Sequence, residues 1–555
     1  MKNQWAKIGV FLLVLVLINL AGSHFYQRFD LTEDNRFTLS ETAVEAAKKF
    51  ESPVLVDVLL DGNIPSEFNK LKTETVLLLE QFKAKNENID YNLVYPLEDA
   101  ELREQTIADL QQLGLKPASV TVEEGGKVSQ ELVFPWAMVT HNNKTVKVSL
   151  LKNKLGSTAE ERINNSVQHL EYGFADAFAK LGIQEKKKVA VIRGKGGLND
   201  LYLADYLSTI REYYNIGAIT LDSVATSPQE TLNQLKGFDL ALIAKPTETF
   251  SDEEKYAMDQ FIVNGGKSIW LIDKVAIELD SLLNENGSAI ATQRDLGLND
   301  FFFRYGVRIN PVLVNDLYNT PIVLASGEGN DSQYNPLPWV YHPMVFSKED
   351  HPINKNIEAV QLKFANTIDT LANESKKTIL LSSSPLSKPE GVPKPISLNI
   401  INKEPNQEAY SQSGNLSLAV LIEGEFASAF KNRVKPLDLK NASELGPENK
   451  MLVIADGDII KNQLRNGRPL ELGYDKWTNS FYGNKEFLMN SINYMLDDSG
   501  LINIRGKVVS IPLLDVQKIA SQKTKWQLIN VGLPVLLTLL FGLLFAYLRK
   551  RKFTA

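Results

Sequence analysis

Three groups of residues in this chain have side chains and spacing suited to chemistry. Asp456-Gly457-Asp458 closes an apolar run that begins at Met451, and Asp273 closes another that begins at Lys267. Carboxylates at strand ends can bind a metal or exchange protons, although they more often cap the following helix or turn. Arg193-Gly-Lys195-Gly-Gly197 follows an apolar strand and precedes a helix. That is the context in which backbone N–H groups and cations hold an anion, although a simple glycine turn is the default reading. The run has neither the G-x-x-x-x-G-K-[S/T] spacing of a nucleotide loop nor a full G-x-G-x-x-G. His342 and His351, two of only five histidines, lie beside prolines, and no H-E-x-x-H or other ligand spacing is present. G-x-S-x-G is also missing. The chain has no cysteine, which excludes disulfides, thiolate metal sites and cysteine nucleophiles. No catalytic set or cofactor motif emerges, so the sequence predicts a protein that is not an enzyme and carries no cofactor.

The elements that would position these residues form two α/β regions. In the first, residues 26–155, a helix over Glu41–Phe50 is capped by Ser40, and strands are predicted at Val54–Leu60 and Ile89–Tyr95. Helices are predicted at Ser66–Lys85 and Leu102–Leu113. Short strands at Val120–Val122, Leu132–Phe134 and Val146–Val148 complete a thioredoxin-like outline, without a thiol to do that chemistry. Residues 156–182 read as a connecting helix, with Ser157 and Glu160 spaced as a capping box. The second region, 183–500, repeats a strand-turn-helix unit. Strands at Lys188–Ile192, Ala218–Leu221, Phe238–Ala244 and Lys267–Asp273 imply a mostly parallel sheet, amidotransferase-like in pattern. Further strands are predicted at Lys377–Leu381, Ser397–Ile401, Leu416–Glu423 and Met451–Asp456, with a helix at Asn484–Asp497. A small ligand of such a sheet would sit at its carboxyl edge, which carries Arg193, Lys195, Pro246, Thr247 and Asp273. The Pro-aromatic segment around Trp339 suits either a protein-contact strip or a cover for the core.

Apolar segments frame both regions. Leu528–Leu548 holds no charged residue, lies between Trp526 and Tyr547, and is followed by Arg549-Lys-Arg-Lys552. About 20 apolar residues cross a hydrocarbon layer, aromatic rings favour its edges, and basic clusters stay cytoplasmic. A transmembrane helix over 526–549 with a basic tail at 550–555 is therefore expected, the alternative being a buried core helix. Residues 501–525 would be a stalk returning to the membrane. Lys2 and Lys7 precede the apolar run Ile8–Leu20, so residues 1–25 are expected to be an uncut membrane helix, with a cleaved signal peptide as the alternative. This places both termini in the cytoplasm and some five hundred residues beyond the inner membrane. The 555 residues are 44% hydrophobic and carry a net charge of −7. Six of the 60 Lys and Arg, Lys2, Lys7 and the run Arg549–Lys552, lie at the two ends, so the central region is more acidic than the total, which argues against a nucleic-acid partner.

Several runs taken in order resemble a known family. They are Arg28–Ser40; Phe238-Asp-Leu-Ala-Leu-Ile with Pro246; Phe261-x-x-x-Gly265-Gly266 with Leu271-Ile-Asp273; Asn335-Pro-Leu-Pro-Trp339; and Gly483-Asn-x-x-Phe-x-x-Asn490. Together, between two terminal spans, they resemble GldG, the gliding-motility-associated auxiliary components of ABC transporters. The resemblance implies a permease and a cytoplasmic ATPase as partners, contact with membrane lipids, and a role in bacterial gliding. The family is often labelled substrate-binding, yet a chain fixed at both ends suits a non-catalytic accessory subunit better. A solute-binding receptor of the same transporter and an envelope scaffold independent of transport are the rival readings. No family motif transfers a functional residue to this chain.

Overall fold

The structure is a computed structural model that describes residues 38–62, 64–124, 127–152, 158–183, 185–326, 333–347, 351–410, 413–496, 502 and 516–553. The predicted N-terminal span lies outside them, as do most of the predicted stalk and Ser157. The described chain divides into two units, one up to Val508 and one from Val509 onward.

The first unit opens with α1 (Glu41–Lys48), capped as expected by Ser40, whose hydroxyl accepts from the Ala43 amide. Then follow β1 (Val54–Val58), α2 (Ser66–Lys85), β2 (Ile89–Leu93), α3 (Arg103–Gln112), β3 (Ala118–Glu124), β4 (Lys127–Val133), β5 (Trp136–His141) and β6 (Lys144–Ser149). The sheet runs β2-β1-β5-β6, with β1 parallel to β2 and the other pairings antiparallel. The segments predicted as two terminal strands of that sheet, Val120–Val122 and Leu132–Phe134, fall instead in a separate β3-β4 hairpin, with Val120 opposite Glu131 and Leu132 opposite Ser119. The sheet position falls to Trp136–His141, which pairs with β1. Helix α4 (Ala159–Gly182) lays Leu170, Phe174 and Phe178 into the core of this sheet. Its capping box is Thr158 with Glu161. The expected Ser157–Glu160 pair has the same spacing one residue earlier, and spacing alone cannot choose between the two registers.

The larger sheet has seven strands. It is built from β7 (Lys188–Arg193), α5 (Asp200–Tyr213), β8 (Asn215–Thr220), α6 (Pro228–Lys236), β9 (Leu240–Ala244), α7 (Asp252–Val263) and β10 (Lys267–Leu271), followed by α8 (Asn299–Tyr305), β11 (Lys376–Ser382), β12 (Ser417–Ala427), β13 (Leu445–Ile454) and α9 (Asn484–Leu496). The strand order is β11-β12-β13-β10-β9-β7-β8. The five strands from β13 to β8 are parallel, and β12 and β11 add an antiparallel margin. Every residue of β9 is buried, as parallel strands covered on both faces require. Leu203, Tyr206 and Phe487 pack one face, while Tyr256, Phe261 and Trp270 pack the other. Helix α6 was not predicted: it buries only Thr231, Leu232 and Leu235, too few to show a period. An antiparallel elaboration between β10 and β11 encloses its own small core around Trp339, Tyr341 and Phe364. Ser397–Ile401, predicted as a strand, is a strand only to Ser397 (Lys394–Ser397); Ser397 then caps a 3-10 turn through its hydroxyl, which accepts from Asn399.

The second unit is α10 (Val516–Phe553), whose segment Ser521–Lys552 is long and apolar enough to cross a membrane.

Candidate functional site

Three neighbouring parallel strands end in a charged residue at the same edge. Ala244 leads to Lys245, Ile272 to Asp273, and Ala455 to Asp456. The order β9-β10-β13 brings residues more than two hundred positions apart into contact. Lys245 is the centre, with only 3% of its side chain exposed. Its Nζ lies 2.7 Å from Asp458, 2.5 Å from Glu278 and 3.4 Å from Asp273. Lys461 stands 3.6 Å from both Glu278 and Asp458. The backbone locks the carboxylates in place: Gly457 N–H donates to Asp273 at 2.5 Å, Asp458 N–H to Asp456 at 2.7 Å, and Lys363 N–H to Asp456 at 2.5 Å.

Close approach explains the glycine between the aspartates. A Cβ at Gly457 would stand 2.5 Å from the Lys245 side chain and 3.1 Å from its Cα. Lys245 itself has φ +52°, a left-handed conformation costing about 1–3 kcal/mol in a residue other than glycine. The ion pairs hold it there, together with its own N–H, which donates to Leu271 at 3.0 Å.

The electrostatics follow from burial. Burial pulls the Lys245 ammonium down, but Asp273, Asp458 and Glu278 together overcome it and push its pKa up. Burial raises Asp273 to about 6, against the pull of Lys245 and with a push from Asp458. Asp456 is driven well above the usual range by burial and by its two acidic neighbours. Burial would raise Asp458 as well, but Lys245, Lys461 and Lys363 outweigh it and keep that carboxyl low. Nearby His342 is held neutral at about 3 by burial and by Lys363. Asp273, Glu278 and Asp458 have the spacing of a cation-binding set, their oxygens lying within 4.8 Å of one another. The Lys245 ammonium already contacts all three and Lys461 contacts two of them, so the arrangement acts as an internal ion cluster.

The residues predicted for a ligand edge divide into two groups. Asp273 belongs to the Lys245 cluster, and Pro246 is buried beside it. Lys195 and Thr247 join in a second contact: Thr247 N–H donates to the Lys195 carbonyl at 2.7 Å, and its hydroxyl donates to the Gly196 carbonyl at 3.0 Å. Arg193 pairs with Asp200, and Lys195 pairs with Glu254 at 2.8 Å. Both cations of the glycine-rich turn are thus already matched by carboxylates. Sequence reasoning noticed Asp273, Asp456 and Asp458 but not Lys245, the residue that unites them. Its signal was the charged residue closing each of three apolar runs.

Residues 186–491, more than half of the chain, match the family described as "ABC-type uncharacterized transport system". The chain belongs to this family of ABC transport-system auxiliary components. Residues 33–140 match a domain of unknown function, DUF7088. No curated protein matches the chain. Among solved structures it is similar to "mmIFT52 N-terminal domain" at 11% identity and a TM-score of 0.32, over 56% of this chain and 98% of that one.

Proposed function

We propose that this protein is a non-catalytic accessory subunit of an ABC transporter, anchored in the bacterial inner membrane and serving gliding motility. Family membership across the large sheet carries this reading. The apolar helix supports anchoring: Leu528, Phe541 and Leu543 are about 70% exposed along it, at 70%, 70% and 69%. Such a surface is unfavourable in water by roughly 25 cal/mol per Å² and favourable in lipid. Trp526 and Tyr547 would mark the two interfaces, with the basic run after Leu548 in the cytoplasm. The rest of the first unit would be periplasmic, as residues 26–155 and 183–500 joined by the helix at 156–182. The chain carries no nucleotide-loop motif, so hydrolysis falls to a partner ATPase and passage to a partner permease. The Lys245 cluster, whose ammonium is already engaged by three carboxylates, fits a structural role better than a catalytic one.

The motility assignment has a direct test. Deleting the gene in the source cell should abolish surface spreading, and the intact chain supplied in trans should restore it. Unchanged spreading after deletion would remove motility from the account while leaving the transport role standing.

A further inference from the structure

A cavity of about 260 Å³ opens between the two cores, away from the Lys245 cluster. Its walls come from α4, from the carboxyl ends of α5 and α9, and from the segment leading into β7. It lies just below the usual range of ligand cavities, roughly 300 to 1,000 Å³. Tyr172, Tyr213 and Tyr214 supply aromatic surface, the last two with rings 6.0 Å apart and 28° from parallel.

The charge on the lining is unbalanced. It includes Lys49, Lys180, Lys186 and Lys187, against the carboxylates of Asp176 and Glu185. Asp176 is already engaged: it accepts from the Tyr213 hydroxyl at 2.9 Å and pairs with Lys180 at 3.2 Å. Lys180 also takes Glu212 at 2.8 Å and lies 4.3 Å from the centre of the Tyr213 ring. Lys186 differs from Lys180. Its Nζ donates to the Arg211 carbonyl at 2.7 Å, in the last turn of α5, and makes no ion pair among the described residues. An ammonium has three donors, so two remain for another acceptor. Burial and the repulsion of Lys144 and Lys180 hold its pKa below the ordinary value, with Glu212 pulling the other way. An added anion would relieve that repulsion.

We propose that this cavity binds a small organic acid with an aromatic body, its acid group on Lys186 and its ring among the tyrosines. Because the walls belong to both cores, an occupant would tie them together. The inference does not depend on the accessory-subunit reading.

The full-length chain in lipid nanodiscs would be titrated calorimetrically with naphthalenesulfonate, against naphthylmethylammonium as the cation of the same ring and empty nanodiscs as the blank. The wild type should bind the sulfonate one to one, at least about tenfold more tightly than the ammonium probe. Lys186→Glu should erase or invert that preference. Ala179→Trp, which fills the cavity from α4, should abolish saturable binding of both probes. Circular dichroism would establish that each variant is folded, and the wild-type preference decides the matter if one is not. No saturable binding in the wild type, equal affinity for the two probes, or unchanged binding in folded Ala179→Trp would overturn the proposal.

Discussion

Lys245 concentrates in one side chain what the carboxyl edge of the sheet requires. A buried ammonium costs several kcal/mol to desolvate, and its three carboxylates would repel one another without it. Replacing it by Met should therefore destabilise the protein by about 3–5 kcal/mol in denaturant titration. Adding Asp458→Asn to that variant should recover part of the loss, because one uncompensated charge is gone. A Lys245→Met chain within about 0.5 kcal/mol of wild type would contradict the cluster reading. The pH dependence follows from Asp273. Its folded pKa of about 6 lies above the unfolded value near 3.9, so the folded state holds this proton more tightly. This contribution to stability is complete below about pH 4 and is lost as pH rises through about 6. Asp456 acts in the same direction, whereas the lowered Asp458 adds stability above the unfolded pKa and loses it in stronger acid. Asp273→Asn should therefore flatten the fall in melting temperature between about pH 4 and 6. An unchanged slope would count against the assignment.

At the scale of elements, the glycine in Asp456-Gly-Asp458 lets the loop after β13 press onto Lys245. Gly457→Ala brings a Cβ to 2.5 Å from that side chain and should cost about 1–3 kcal/mol. A neutral result would mean that the loop can withdraw without loss. This edge also marks how far the sequence was readable. Central strands such as β9 and β10 were legible because burial on both faces leaves a continuous apolar run. The Ser40 cap of α1 was legible because its chemistry is local, and it forms as read. The capping register of α4 and the swap of β5 for the hairpin strands were not, because several segments met the same local rule and only tertiary contacts chose between them. The candidate site was half legible for the same reason. Strand-end aspartates attract notice, but a lysine before a proline looks like a solvated charge until strand order sets it between Asp273 and Asp458. Arg193 and Lys195 looked available because Asp200 and Glu254 reach them only through folding.

At the scale of the molecule, α10 distinguishes an anchored subunit from a soluble one. A Leu540→Arg substitution places a charge near the middle of the apolar segment and should cost about 2.5–3.5 kcal/mol of insertion. The variant should be depleted from carbonate-washed membranes relative to wild type. Equal retention would mean that α10 is not required as an anchor and that the expected span at 1–25 holds the chain.

The central claim is partnership in a transporter, and it is tested most directly by isolating the full chain from native membranes in gentle detergent and identifying what accompanies it by mass spectrometry. The account predicts a multi-span permease and an ATPase recovered with it in fixed ratio. Recovery of other envelope proteins with neither of these would contradict it and leave the chain an independent scaffold.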